Sequence, residues 1–143
     1  MNKLLLPIDG SEASQRSLAY VIKNKGGATA ASAAELHLLN VQSPLPSGVT
    51  RFIPQGDVRQ YHVDEGEKEL ADARAKLDAA GLKYVSKMEV GLPVEVIAGY
   101  ARDNKIDMII LGTRGLGSVS GMLLGSVTTK IIHATDTPVL LVK

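Results

Sequence analysis

The chain has 143 residues, about the size of one domain, with 45% hydrophobic and 22% charged residues. That composition suits a packed core and excludes disordered, collagen-like and coiled-coil chains. Sixteen Lys+Arg against fifteen Asp+Glu leave a net charge of +1, too balanced for a protein that wraps nucleic acid or lies on an anionic membrane, so neither partner is expected.

The elements follow in chain order. Lys3 to Ile8 is a nearly all-apolar run ending in Asp9-Gly10-Ser11, the signature of a strand buried on both faces and closed by a turn. From Glu12 to about Lys25, Leu18, Val21 and Ile22 recur at helical spacing, and Gly26-Gly27 supplies a stop. Thr29 to Ala34 carries no assignable pattern. Glu35 to Val41 reads as the second strand, closed by Ser43-Pro44-Leu45-Pro46-Ser47-Gly48. Val49 to Gly56 reads as surface loop, and Asp57 to Ala80 as a charged amphipathic helix with Leu70, Ala73, Leu77 and Ala80 on one stripe. Its mixed charges from Asp57 to Arg74 read as a solvated face.

Lys83 to Val90 alternates imperfectly, as a third strand with one more exposed face or an edge position does. Pro93 then opens a helix at the position where its missing N–H is not needed, with Val94, Ile97, Ala98 and Ala101 as the inward face. Asp107 to Leu111 and Pro138 to Val142 are the fourth and fifth strands, separated by a glycine-rich turn and a helix from about Leu123 to Ala134. Strands alternating with helices imply a parallel α/β sheet with right-handed crossovers and helices on both faces, in one domain covering residues 1–143. In such a sheet ligands sit where the winding reverses, so if the fourth strand lies beside the first, the turns after Ile8 and Leu111 meet at the site.

The stretch from Gly112 to Ser126 holds five of the chain's 14 glycines. Glycine lets backbone N–H groups approach a ligand without an intervening Cβ, and a helix N-terminus adds partial positive charge, a pair of features that suits phosphate; a tight turn in a flexible loop is the structural alternative. No Gly-Lys pair exists for a Walker A loop, and Gly115-x-Gly117 misses the dinucleotide fingerprint because the next glycine is Gly121. The spacing Gly112, Gly115, Gly125, Ser126 is Gly, two residues, Gly, nine residues, Gly, then Ser or Thr. With Leu4-Leu5-Leu6-Pro7-Ile8-Asp9-Gly10-Ser11 at the start and His133-Ala134 followed by Pro138-Val139-Leu140 at the end, it resembles the universal stress protein family.

The resemblance spans the whole chain, least distinctively from Val49 to Ala80. It implies a five-stranded parallel sheet of order 3-2-1-4-5, Rossmann-like and adenine nucleotide alpha hydrolase-like, carrying an ATP site (with AMP or ADP as related ligands). In that site Asp9 matches the acidic residue near ribose and phosphates and could meet Mg²⁺ arriving with the nucleotide, and Pro7 stands beside it. Val41 matches the position whose backbone meets adenine. Gly112, Gly115, Gly125 and Ser126 match the ribose and phosphate loop, completed by Val127 and Thr128. A homodimer through the last strand, Thr137 to Val142, is also implied. Asp9 has a second reading as helix N-cap with Glu12 as capping-box partner, and the two roles are compatible.

Other candidates carry less. Arg114 reads as a solvated turn residue, and His37, His62 and His133 lack metal-ligand spacing. Gly117-Ser118-Val119-Ser120-Gly121 misses the nucleophile elbow by one position. The absence of cysteine removes disulfides, thiol nucleophiles and cysteine-based zinc sites. No apolar run suits a signal-peptide core or a membrane span, so a cytoplasmic domain is expected. The leading expectation is an ATP-binding regulatory or stress-tolerance module without catalytic residues. The alternatives are a nucleotide-independent interaction protein of the same fold and a slow Mg²⁺-dependent ATPase.

Overall fold

Strands that are apolar on both faces need cover on both faces, and the chain meets this need by reversing its winding once. The computed structural model describes residues 3–24, 34–113 and 125–143. Strands β1 (Lys3–Pro7), β2 (Glu35–Gln42), β3 (Tyr84–Val90), β4 (Met108–Gly112) and β5 (Val139–Val142) form a parallel sheet of order β3-β2-β1-β4-β5. The helices are α1 (Glu12–Lys23), α2 (Ser47–Thr50), α3 (Gln55–Ala79), α4 (Pro93–Asp103) and α5 (Ser126–Ala134). Crossovers of one hand place α1 and α3 on one face while the chain proceeds from β1 to β3; after β3 it returns past β1, and α4 and α5 cover the other face. The expected order and the helices on both faces are what the structure has.

Residues of β1 alternate between the two cores. Leu4, Leu6 and Ile8 pack with Leu18 and Val21 of α1 and Leu70, Ala73 and Leu77 of α3. Leu5 packs with Leu39, Ile97, Ala101, Ile109 and Ile131 between the sheet and α4–α5. The edge reading of β3 holds, since β3 pairs only with β2 and leaves Val85 and Val90 exposed.

Three expectations change. Val49 to Gly56 is not all loop: Pro46 and Pro54 sit at the N-cap positions of α2 and α3, with φ of −56° and −54°, and their carbonyls accept the first helical hydrogen bonds. Pro54 thus starts α3 two residues before the expected Asp57, and Pro46 starts a short helix that was not expected at all. The buried stripe of α3 begins with His62 and Gly66, residue types that do not read as apolar, while Ala80 is the helix C-cap. On α4, Tyr100 is buried with Ile97 and Ala101, whereas Val94 and Ala98 are half-buried. The glycine stop at Gly26-Gly27 lies outside the described residues, and the last helix is described from Ser126.

Tyr100 ends a polar chain beneath α4. Its hydroxyl is 2.7 Å from Nδ1 of buried His37, whose Nε2 is 2.8 Å from Glu35 Oε1. The tautomer with its proton on Nε2 donates to Glu35 and accepts from the tyrosine, satisfying both ring nitrogens. Burial, above all, raises the Tyr100 pKa above the usual phenol value. The folded state therefore holds this proton more tightly than the unfolded chain. Its contribution is complete below about pH 10, the ordinary tyrosine value, and is lost as pH rises through the folded value. Tyr100→Phe is expected to cost about 1–2 kcal/mol at pH 7 by leaving His37 Nδ1 without its donor, and to reduce the loss of stability between pH 9 and 11. Urea denaturation of both proteins across that range checks both effects.

Candidate functional site

The winding reverses between β1 and β4, and a cleft of about 590 Å³ opens above the C-terminal ends of the strands there. This is a volume that holds a small-molecule ligand. Pro7, Ile8 and Asp9 leaving β1, Leu39 and Val41 of β2, and Leu111 and Gly112 of β4 line it. Pro93 and Ile97 of α4 and Val127, Thr128 and Ile131 of α5 supply an apolar wall on one side; Ser11 and Ser14 of α1 and Tyr61 and Glu69 of α3 stand on the other. Six of the residues expected from sequence, Pro7, Asp9, Val41, Gly112, Val127 and Thr128, thus share one cavity. Gly125 and Ser126 begin α5 just before that wall, Gly125 in the N-cap position with its carbonyl accepting from Thr129 N at 3.1 Å. Gly115 and Arg114 lie outside the described residues.

The turn after β1 has a definite hydrogen-bond plan. Gly10, at φ 81°, takes the chain through a left-handed conformation that a side chain would strain. Asp9 Oδ1 accepts from Ser11 N at 2.9 Å, and Ser11 Oγ accepts from Ser14 N at 3.2 Å. Ser11 is therefore the N-cap of α1, and the cap reading of Asp9 with Glu12 is corrected. Asp9 instead closes the turn ahead of the cap, with its exposed carboxylate at the rim of the cleft.

Backbone geometry leaves Val41 with an open edge toward the cleft. Leu39 accepts from Ile8 N at 2.9 Å, the last bond between the β1 and β2 ends. Alternate residues of a strand send their N–H and C=O to the same side, so Val41 presents both beyond the last β1 residue paired with β2, Pro7. Beside it a polar cluster departs from the solvated-face reading of α3. Fully buried Asn40 donates through Nδ2 to Ile8 O at 2.8 Å and to Glu69 Oε2 at 2.5 Å. Gln42 Nε2 donates to Asn40 Oδ1 at 2.9 Å and to Glu69 Oε2 at 3.1 Å. Glu69 turns inward while Glu67, two residues earlier, pairs with Arg74 on the exposed side.

The family model for the universal stress protein family matches residues 1–143. The chain belongs to the universal stress protein family. A universal stress protein of Thermus aquaticus is 33% identical over 141 residues, covering 98% of this chain and 97% of its own. Universal stress protein MJ0577 of Methanocaldococcus jannaschii is 28% identical, covering 99% of this chain and 94% of its own. The solved structure of MJ0577 superposes with a TM-score of 0.79 at 31% identity, covering 99% of this chain and 95% of that one. A universal stress protein solved in complex with cAMP superposes with a TM-score of 0.71 at 28% identity, covering 99% and 97%.

In this universal stress protein Gly112 has a reason that sequence reading assigned elsewhere. A Cβ there would lie 2.8 Å from Ala13 Cα and nearer still to the Ala13 carbonyl. The first turn of α1 rests on the β4 backbone, so at this position the absence of a side chain is a packing demand of the helix, whatever a ligand adds. Three residues further along α1, an Arg16 guanidinium nitrogen donates to Thr113 O and fastens the end of β4 to the same helix. The part of Glu69 was missed because an acidic residue among acidic and basic neighbours reads as solvated; its spacing of one residue before Leu70 was the only signal. Gly112→Ala is expected to destabilise the fold by about 2–3 kcal/mol, since the obstructing atoms are backbone and cannot rotate away; a thermal melt showing wild-type stability would exclude this packing role.

Proposed function

We propose that this protein binds an adenine nucleotide in the cleft between β1 and β4, as a nucleotide-responsive regulatory module. The observation that carries the reading is the convergence of Pro7, Asp9, Val41, Gly112, Val127 and Thr128 on one cavity at the reversal of the sheet. The related protein solved with cAMP supports an adenine nucleotide as the ligand class. In this reading the Val41 N–H and C=O meet the adenine edge, Pro93, Ile97 and Val127 face its apolar surface, and Asp9 faces the ribose. The phosphates lie toward Gly125 and Ser126, where the first turn of α5 has no side-chain cap, so its N–H groups and dipole favour an anion. ATP, accompanied by Mg²⁺ within reach of Asp9, is the nucleotide we propose; AMP and ADP carry the same recognition elements.

Calorimetric titration of the folded protein with ATP and AMP, with and without Mg²⁺, tests the reading. Saturable binding is expected, weakened about tenfold or more by Asp9→Ala through the loss of a charge-assisted hydrogen bond. No binding of either nucleotide to folded protein would overturn it. The Gly115→Val variant tests the segment outside the described residues in the same titration, with loss of ATP binding and an intact fold expected.

We also propose a homodimer formed through β5. This strand ends the sheet, and its four residues, Val139 to Val142, are apolar and only half-buried, an open edge that a second copy can extend. Sedimentation at micromolar concentration is expected to give a dimer; a monomer at that concentration would remove this proposal.

A further inference from the structure

Glu69 has the form of a held acceptor with one end left for a ligand. Oε2 is committed to the amides of Asn40 and Gln42, and Asn40 is itself fixed by Ile8 O and Gln42. No hydrogen bond from the described residues reaches Oε1. A Cβ on Gly10 would lie 3.6 Å from Glu69 Cγ, so this carboxylate flanks the Asp9-Gly10-Ser11 turn while lining the cleft. Asp9 is arranged alike: Oδ1 accepts from Ser11 N, and no described residue donates to Oδ2.

The charge of the cleft selects what these oxygens can meet. Asp9 and Glu69 are the charged side chains among the described residues that line it, and no described Lys or Arg joins them. Two carboxylates with no cation beside them repel phosphate oxygens and accept from hydrogen-bond donors; in a nucleotide that brings no Mg²⁺, such as AMP, those donors are neutral. An adenine nucleotide offers two kinds of neutral donor, the exocyclic amine and the ribose hydroxyls. In the reading above the Val41 carbonyl already serves the amine; Glu69, although its Oε2 is held by the residues on either side of Val41, has its Cγ against Gly10 and so also stands beside Asp9, the side assigned to the sugar. We infer that Glu69 accepts a hydrogen bond from a ribose hydroxyl and, with Asp9, makes the site prefer ribonucleotides to deoxyribonucleotides. This rests on the nucleotide-binding reading above.

Glu69→Gln separates recognition from support. The glutamine carbonyl must turn to the two amides that Oε2 now serves, which leaves its NH₂ where Oε1 stood, a donor in place of an acceptor. The experiment is calorimetric titration of the full chain, wild type and E69Q, with AMP, 2′-deoxy-AMP and 3′-deoxy-AMP, with folding checked by circular dichroism and thermal melting. Wild type is expected to bind AMP about tenfold more tightly than at least one deoxy analogue, the worth of one hydrogen bond to a charged group. In E69Q that preference is expected to shrink several-fold, because the amide can at most donate a neutral hydrogen bond to the hydroxyl oxygen in place of the charge-assisted one, with the analogue nearly unchanged. Glu69→Ala, which removes both oxygens and lets water reach the amides, is expected to lose the same preference and serves if E69Q does not fold. Equal weakening of all three ligands in the folded variants would make Glu69 a purely structural residue and overturn the inference. So would a wild type that binds AMP and both analogues alike, or a preference that survives undiminished in Glu69→Ala. If no adenine nucleotide binds wild type, the nucleotide reading falls and this inference with it.

Discussion

The contact between the first turn of α1 and the backbone of Gly112 sets the geometry on which the site depends. With no room for a methyl group between Ala13 and β4, the helix that leaves β1 is pressed onto the end of the strand that lies beside β1. Arg16, reaching from the same helix to the Thr113 carbonyl, holds that end in place. Two strand ends far apart in sequence are thereby locked in register, and the space above them has fixed walls. Interiors this closely packed do not deform smoothly, so a side chain at position 112 would be relieved by moving α1, and with α1 the Ser11 cap and the Asp9 turn that borders the cleft.

Polar groups buried in the middle of an apolar sheet give the fold its second constraint. The three on β2 divide between the faces: Asn40 and Gln42 toward α3, where they tie β1, β2 and Glu69 together, and His37 toward α4, where it joins Glu35 to Tyr100. Each would be costly if left unpaired, and each is satisfied only in one packing of helix against strand. Their effect is to specify position more than to add stability. The Asn40 cluster does so at the C-terminal end of β2, the end that carries Val41, so fixing α3 also fixes the floor and one wall of the cleft. Gly66 belongs to the same arrangement, since a Cβ there would meet Met88 at 2.7 Å and Asn40 Oδ1 at 3.1 Å. The helix comes close enough for Glu69 to reach Asn40 because that position is bare.

What could be read from the sequence follows from how each feature is encoded. All five strands were legible: β1 and β4, buried through their centres, as apolar runs, β2 and β5 from their apolar residues and turn boundaries, and β3 from its alternation. The reversal of winding entered through the resemblance and agrees with the handedness of crossovers. Pro93 was legible as a helix start, but Pro46 and Pro54 were not, because one stands in the segment read as closing β2 and the other in a stretch read as loop. The role of Asp9 was ambiguous because Asp and Ser are both good caps; only the dihedrals of Gly10 decide that the chain turns once more and gives the cap to Ser11. Glu69 was not legible at all. Its direction is set by Asn40 and Gln42, some thirty residues away, and no local period of charge can show a partner brought in by the sheet.

The glycine spacing shows why a motif and its physical cause have to be argued separately. Gly112 and Gly125 occupy the same signature, but packing alone excludes a side chain at Gly112, whereas Gly125 has φ −69° and ψ 160°, an extended conformation open to any residue. A ligand is therefore not needed to explain the first. For the second, backbone conformation supplies no reason, and its position offers one: the N-cap of α5, where a glycine supplies no side-chain acceptor to the first-turn N–H groups. A glycine there leaves those groups open to whatever approaches, and the groups that approach most favourably are anionic. The acidic side of the cleft, with Asp9 and Glu69, and the donor end at α5 thus divide one cavity into a part suited to hydroxyl donors and a part suited to phosphate. A nucleotide carries those two chemistries in that order along its length, and this polarity, more than the count of glycines, is what the proposed site rests on.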